Sequence, residues 1–211
     1  MTPELRIEVE GTALERIAAQ VAAVALFRDE RPLRGGAGRA DWRLCGRISA
    51  LVAEGRLRGE PGESALVTTF GGMRARLLLV LGAGPREEFD ARAFEGLVQR
   101  AVAHAFALQA DRLALCFAEG ARGQAASEAR ATGLLAGAAA AAGAAPPGAQ
   151  LELILSTAPE EVARAIDLLR RARPGPLRQP VVLRLSTSGA RGGRAPDATG
   201  SPAVRGAQLV K

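Results

Sequence analysis

The residues best suited to hold a ligand are glycines ahead of an aspartate. Gly35, Gly36 and Gly38 precede Asp41, and Asp41 opens a run that places Leu44, Ile48, Leu51 and Val52 on one helical face before stopping at Gly55. Glycines let a ligand approach the backbone, and amides at a helix N-terminus attract phosphate or carboxylate. The same Asp41 also reads simply as the cap of that helix. Gly82-Ala83-Gly84, at the end of the apolar run that starts at Ala75, is a second candidate anion loop. It falls short of a GxGxxG fingerprint, and Pro85 favours a plain turn. His104 is the only histidine and has no serine, cysteine or acid at a telling spacing, so it reads as structural or solvated. Cys45 and Cys116 form no CxxC pair, which excludes a disulfide scaffold and a Cys/His zinc site and leaves two inert core thiols. Trp42, the lone tryptophan, is expected to anchor the glycine-rich loop. No catalytic residue, metal or cofactor is implied.

The elements that must position these residues alternate between strand and helix. Leu5, Ile7 and Val9 alternate with charge, as in a strand with one solvated face. Residues 12–20 read as a turn of helix capped by Thr12, with Glu15 at the capping-box position. Residues 21–27 are a continuous apolar run that suits a central strand. A glycine-rich loop follows, then a helix over 41–54. Runs at 64–70 and 75–82, separated by Gly71 and Gly72, predict a hairpin. Helices are expected over 91–108 and 125–142, strands over 112–117 and 151–156, and a further helix after Pro159, with Glu160 and Glu161 in its first turn and arginines in its last. One more short strand ends near 186. This order predicts an α/β fold with a mixed, mostly parallel sheet flanked by helices. The domain is expected over 1–186, with 187–211 a disordered Gly/Pro/Arg-rich tail.

Composition limits the function. With 211 residues the chain suits one domain and a remainder, and its 3% aromatic content without tyrosine argues against stacking platforms for single-stranded nucleic acid. No apolar run reaches the roughly 18 residues of a membrane span, and the charged N-terminus is unlike a signal peptide, so a cytoplasmic location without membrane contact is expected. The net charge of +6 is unevenly placed: residues 1–163 carry a net −2 and residues 164–211 a net +8. Arginine supplies nearly all the basic residues, a habit that matches a GC-rich coding bias.

Several of these features together are familiar. Pro32-Leu33, Asp41 with Gly46 and Leu51 downstream, the Gly59 to Glu63 turn, the strand ending in Gly82-Ala83-Gly84, the segment EARATGLLAG and the helix AIDLLRRARPGP resemble the N-terminal domain of the M17 leucyl aminopeptidases, over residue 5 to about 173. The resemblance implies a three-layer, macro-domain-like fold. It also implies that peptidase chemistry belongs to a C-terminal domain in which a lysine, several aspartates and a glutamate hold two metal ions. After residue 163 this chain has only Asp167 and Asp197 as acids, and its one lysine is Lys211, so by itself it is not expected to be an aminopeptidase.

Three roles follow. The first is a non-catalytic assembly, interaction or regulatory module that associates with itself or with a full-length aminopeptidase subunit through the 160–173 helix, whose Val162, Ile166 and Leu169 would otherwise lack a cover. The second is a module for ADP-ribose or another nucleotide, because ADP-ribose-binding macro domains carry a similar glycine-rich loop ending in Asp; the asparagine they place before it is absent here. The third is weak, salt-sensitive nucleic-acid contact through the basic tail.

Overall fold

Side-chain alternation decides the first strand. Leu5, Ile7 and Val9 are buried while the charged residues between them are not, which gives β1 (Glu4–Glu10) one packed and one wet face. The structure is a computed structural model that describes residues 3–116, 124–172 and 182–187. After a single 3-10 turn at Leu14–Arg16, the apolar run 21–27 forms β2 (Val21–Phe27). Two short helices follow, α1 (Gly35–Arg43) and α2 (Arg47–Ala53), then the hairpin of β3 (Ser64–Thr68) and β4 (Leu77–Gly84). Next come α3 (Ala91–Ala107), β5 (Arg112–Cys116), α4 (Gln124–Gly143), β6 (Gln150–Ser156), α5 (Val162–Arg171) and β7 (Val182–Thr187).

The strands lie in the order β3-β4-β2-β5-β6-β1-β7, and only the β3–β4 pair is antiparallel. Successive residues of each central strand enter different cores. Val21 and Ala23 pack with α3, α4 and α5; Ala22, Val24 and Leu26 pack with α1, α2 and the 3-10 turn. The result is the expected three-layer arrangement with a mixed, mostly parallel sheet. α4 is rich in alanine, and its buried Ala131, Ala138 and Ala142 bring it close against α3.

Five local expectations need correction. The helix expected over 41–54 is two helices, because Cys45 (φ 53°) and Gly46 (φ 80°) are both left-handed and turn the chain between them. The glycines at 35, 36 and 38 form no loop; they make the first turn of α1. Thr12 does not cap the 3-10 turn, because the N-cap position falls on Ala13, which has no side-chain acceptor; the Thr12 carbonyl accepts from Ser156 Oγ at 2.7 Å. Gly82-Ala83-Gly84 is the end of β4, not a loop beyond it. Finally, α5 is already covered: Leu169, Ala165 and Leu168 are buried, and Val162 and Ile166 pack on the same core with α4 and β1 as neighbours. Most of the tail read at 187–211 lies outside the described residues.

Candidate functional site

The start of α1 is shaped by close packing. Gly36 and Ala37 are on the buried face of the helix, and a Cβ on Gly38 would sit 2.5 Å from the Leu33 carbonyl oxygen. Between this turn and the 3-10 turn lies an open groove of roughly 530 Å3, bordered by Arg16, Arg34, Gly35, Gly38, Trp42 and Arg43. Glu15 and Arg39 also face it. Glu15 Oε2 is buried without a hydrogen bond, but Arg39 Nε stands 3.5 Å away as its counter-charge. Arg16, Arg34 and Arg43 are exposed and form no ion pair among the described residues. The groove is therefore basic. Trp42 does not anchor the turn as expected, because it is 84% exposed.

Asp41 belongs to α1 but serves α2. One carboxylate oxygen accepts from the amides of Ile48 (2.7 Å) and Ser49 (3.0 Å), and the other accepts from Ser49 Oγ (2.5 Å). The residue at the N-cap of α2 is Gly46, which has no side chain to offer, so the cap comes from the preceding helix. Capping is the role the sequence implied, delivered from another element, and it engages both carboxylate oxygens.

The second glycine cluster is closed by the 58–63 turn. Glu63 Oε2 accepts from the amides of Arg58, Gly59 and Glu60 at 2.8 to 3.1 Å. Burial alone would raise the Glu63 pKa, but these three donors and the charge of Arg58 outweigh it and hold the carboxyl below its ordinary value. The turn so fixed lies across the end of β4. Gly82 N–H donates to the Glu63 carbonyl (2.9 Å) and Gly84 N–H to the Gly59 carbonyl (2.8 Å), while a Cβ on Gly82 would run into the Glu60 carbonyl oxygen. Even the Gly82 carbonyl is engaged, by Arg100 Nη2 at 2.7 Å. The two glycine clusters thus do not converge on one open crevice: Gly35 and Gly38 border a groove, and Gly82 and Gly84 are sealed.

The remaining candidates are also placed. His104 lies on α3 one turn beyond Arg100; burial and then the Arg100 charge push its pKa down, so it is neutral near pH 7. Cys116 is half-buried at the end of β5 and accepts from Arg39 Nη2 at 3.7 Å. Cys45 is exposed, which corrects the expectation of two core thiols; its left-handed backbone turns it out between α1 and α2. Sequence reading also missed Phe70, which is 91% exposed at φ 49°. The signal was available, since an aromatic residue directly before Gly71-Gly72 sits in a hairpin turn with no core to enter. An aromatic cluster, Phe27 edge-on to Phe89 at 5.0 Å with the Arg86 guanidinium over Phe27 at 4.6 Å, was likewise unforeseen. Among the described residues no group of three or more His, Cys, Asp or Glu side chains could hold a metal ion, and no helix is long and apolar enough to cross a membrane.

Comparison with known proteins gives three findings. The family described as the cytosol aminopeptidase family, N-terminal domain, matches residues 13–142. A probable cytosol aminopeptidase of Xylella fastidiosa strain M23 is 32% identical over 98 residues, which is 46% of this chain and 20% of that protein; the strain M12 protein is 32% identical over 87 residues, 41% and 18% respectively. These matches span about a fifth of the curated relatives' length. Among solved structures, a mutant of tomato leucine aminopeptidase has a TM-score of 0.56 at 19% identity, covering 79% of this chain and 36% of that one. A mutant macrodomain of Oceanobacillus iheyensis with ADPR has a TM-score of 0.54 at 12% identity, covering 78% and 90%. At such identities these structures show a shared fold.

Proposed function

Because the chain belongs to the cytosol aminopeptidase family through that family's N-terminal domain, we propose that it is a non-catalytic module that works by association, with a second copy of itself or with a full-length aminopeptidase subunit. The observation that carries the non-catalytic part of this reading is the use made of four of its carboxylates. A two-metal hydrolytic centre needs several of them converging on one point. Here Asp41 caps α2, Glu63 gathers a turn, Asp90 caps α3 through the Ala93 amide at 2.8 Å, and Glu15 balances Arg39. Each is committed to the fold. Light scattering across a range of concentrations, with the chain alone and mixed with an active cytosol aminopeptidase, should reveal a concentration-dependent oligomer or a mixed complex. A monomer in every mixture would end the association reading, and metal-dependent hydrolysis of a leucyl substrate by the chain alone would end the non-catalytic one.

A second reading is favoured by the groove at Gly35 and Gly38, since a macrodomain of the same fold has been solved with ADPR. Arg16 and Arg34 would face the phosphates there, and Gly82 and Gly84 would contribute nothing. ADP-ribose binding only the folded state at a hundredfold excess over its Kd would add about 2.7 kcal/mol of stability. No thermal shift at millimolar ADP-ribose removes this reading.

A further inference from the structure

We propose that the corner where the 69–72 turn meets the end of α1 docks an acidic peptide segment of a partner protein, anchored by an apolar side chain. The proposal rests on the association reading and names the surface and the chemistry of the partner. Trp42 and Phe70 are 84% and 91% exposed, far above the other two exposed large hydrophobics among the described residues, Leu66 and Leu108, at 37% and 40%. The elements that carry them touch: a Cβ on Gly72 would lie 2.6 Å from the Arg43 carbonyl oxygen and 3.1 Å from Leu44 Cδ2. Phe70 is held outward by a left-handed backbone (φ 49°), a conformation unfavourable for a bulky residue that persists only where the surroundings impose it. Exposed tryptophan beside arginine is the composition of an interface hot spot.

Charge selects the occupant. Arg16, Arg34 and Arg43 line the groove next to Trp42 without ion pairs among the described residues, while the one acid in the groove, Glu15, is balanced by Arg39. An occupant must therefore bring negative charge for the groove and an apolar group for the exposed aromatics beside it. The chain's own residues 164–211, at net +8, carry the wrong sign. A nucleic acid would supply phosphates, but it would meet two exposed aromatics on different elements where successive bases need a stacking row. An acidic segment with a leucine or phenylalanine satisfies both halves of the corner.

Trp42 is the only tryptophan, so its emission reports the site directly. The full chain is titrated with a short Asp/Glu-rich peptide carrying a central Leu-Phe pair, with its Lys/Arg counterpart, and with a single-stranded oligonucleotide. The acidic peptide should shift the Trp42 emission to the blue, and the basic one should leave it unchanged. Raising salt, Phe70→Ala, and the double change Arg34→Glu with Arg43→Glu should each weaken binding, the last by about tenfold or more. All three positions are exposed, and circular dichroism verifies that the variants fold. An unchanged emission with the acidic peptide overturns the proposal, and association still seen by light scattering then leaves the module reading intact. A response to the oligonucleotide equal to that of the peptide also overturns it, in favour of a phosphate site. Peptide binding by a chain that associates with neither itself nor an aminopeptidase would uphold the docking corner while the wider reading fails.

Discussion

Asp41 and Glu63 do the same work in different places, each gathering backbone amides that would otherwise have no acceptor. Replacing Asp41 with alanine strands the Ile48 and Ser49 amides and the Ser49 hydroxyl, at a cost of about 1 to 2 kcal/mol. Asparagine keeps one acceptor oxygen and should recover part of that loss in a thermal melt. Glu63 makes the stability depend on pH. Its folded pKa lies below the ordinary 4.5, so its contribution is complete above that pH and is lost as pH falls through the folded value. His104 acts in the same direction at higher pH. Its folded pKa is depressed from 6.5, so the unfolded chain takes up a proton first and stability begins to fall below that point. Acid titration of stability should therefore show two losses: His104→Gln should remove the upper one and Glu63→Gln should reduce the lower. A titration curve unchanged by either variant would contradict this assignment. Residue types revealed the capping role of Asp41 but not its address, because nothing in Leu44-Cys45-Gly46 announces a left-handed cysteine. Trp42 was misread for a related reason: whether a lone aromatic is buried depends on the packing of distant elements.

Among the elements, those whose residues repeat with a period were readable. β1 and β2 follow from alternation and from a continuous apolar run, α3 from apolar residues at helical spacing, and the β3–β4 hairpin from two such runs around Gly71-Gly72. What escaped was pairing between segments distant in sequence. Gly82 and Gly84 looked like a loop because glycines end strands, yet here they stay in β4 to admit the 58–63 turn against the sheet. This contact makes a prediction. Gly82→Ala places a methyl group in the Glu60 carbonyl, and backbone must move to relieve it, at a cost of about 1 to 3 kcal/mol or more. The melting temperature should fall by about 2 to 4 °C per kcal/mol, and hydrogen exchange should speed up selectively at Gly59, Glu60 and Glu63. Uniform exchange throughout the molecule would mean that the turn is not the element displaced.

At the scale of the whole molecule, the extent of the fold differs from the extent of the family match. The match begins at residue 13 and ends at 142, so it leaves out β1, β6, α5 and β7. Yet β1 is no decoration at the sheet's margin: it lies between β6 and β7, pairs with both in parallel, and buries Leu5, Ile7 and Val9 to 1% exposure or less. Burying an aliphatic side chain of this size contributes about 1.5 to 3 kcal/mol. Three of them represent about 4.5 to 9 kcal/mol, comparable with the roughly 5 to 15 kcal/mol that holds a whole domain together. Terminal segments usually tolerate truncation, but this one is the bridge through which β7 joins the sheet. Deleting residues 1–10 should therefore abolish cooperative unfolding in calorimetry, whereas a chain ending at residue 187 should keep it. If the N-terminal deletion still melted cooperatively with most of its enthalpy, β1 would be an accessory strand. The expected collapse would instead place the unit of folding at 4–187, with the basic groove and the Trp42–Phe70 corner carried on its α1–α2 face, opposite the helices α3, α4 and α5.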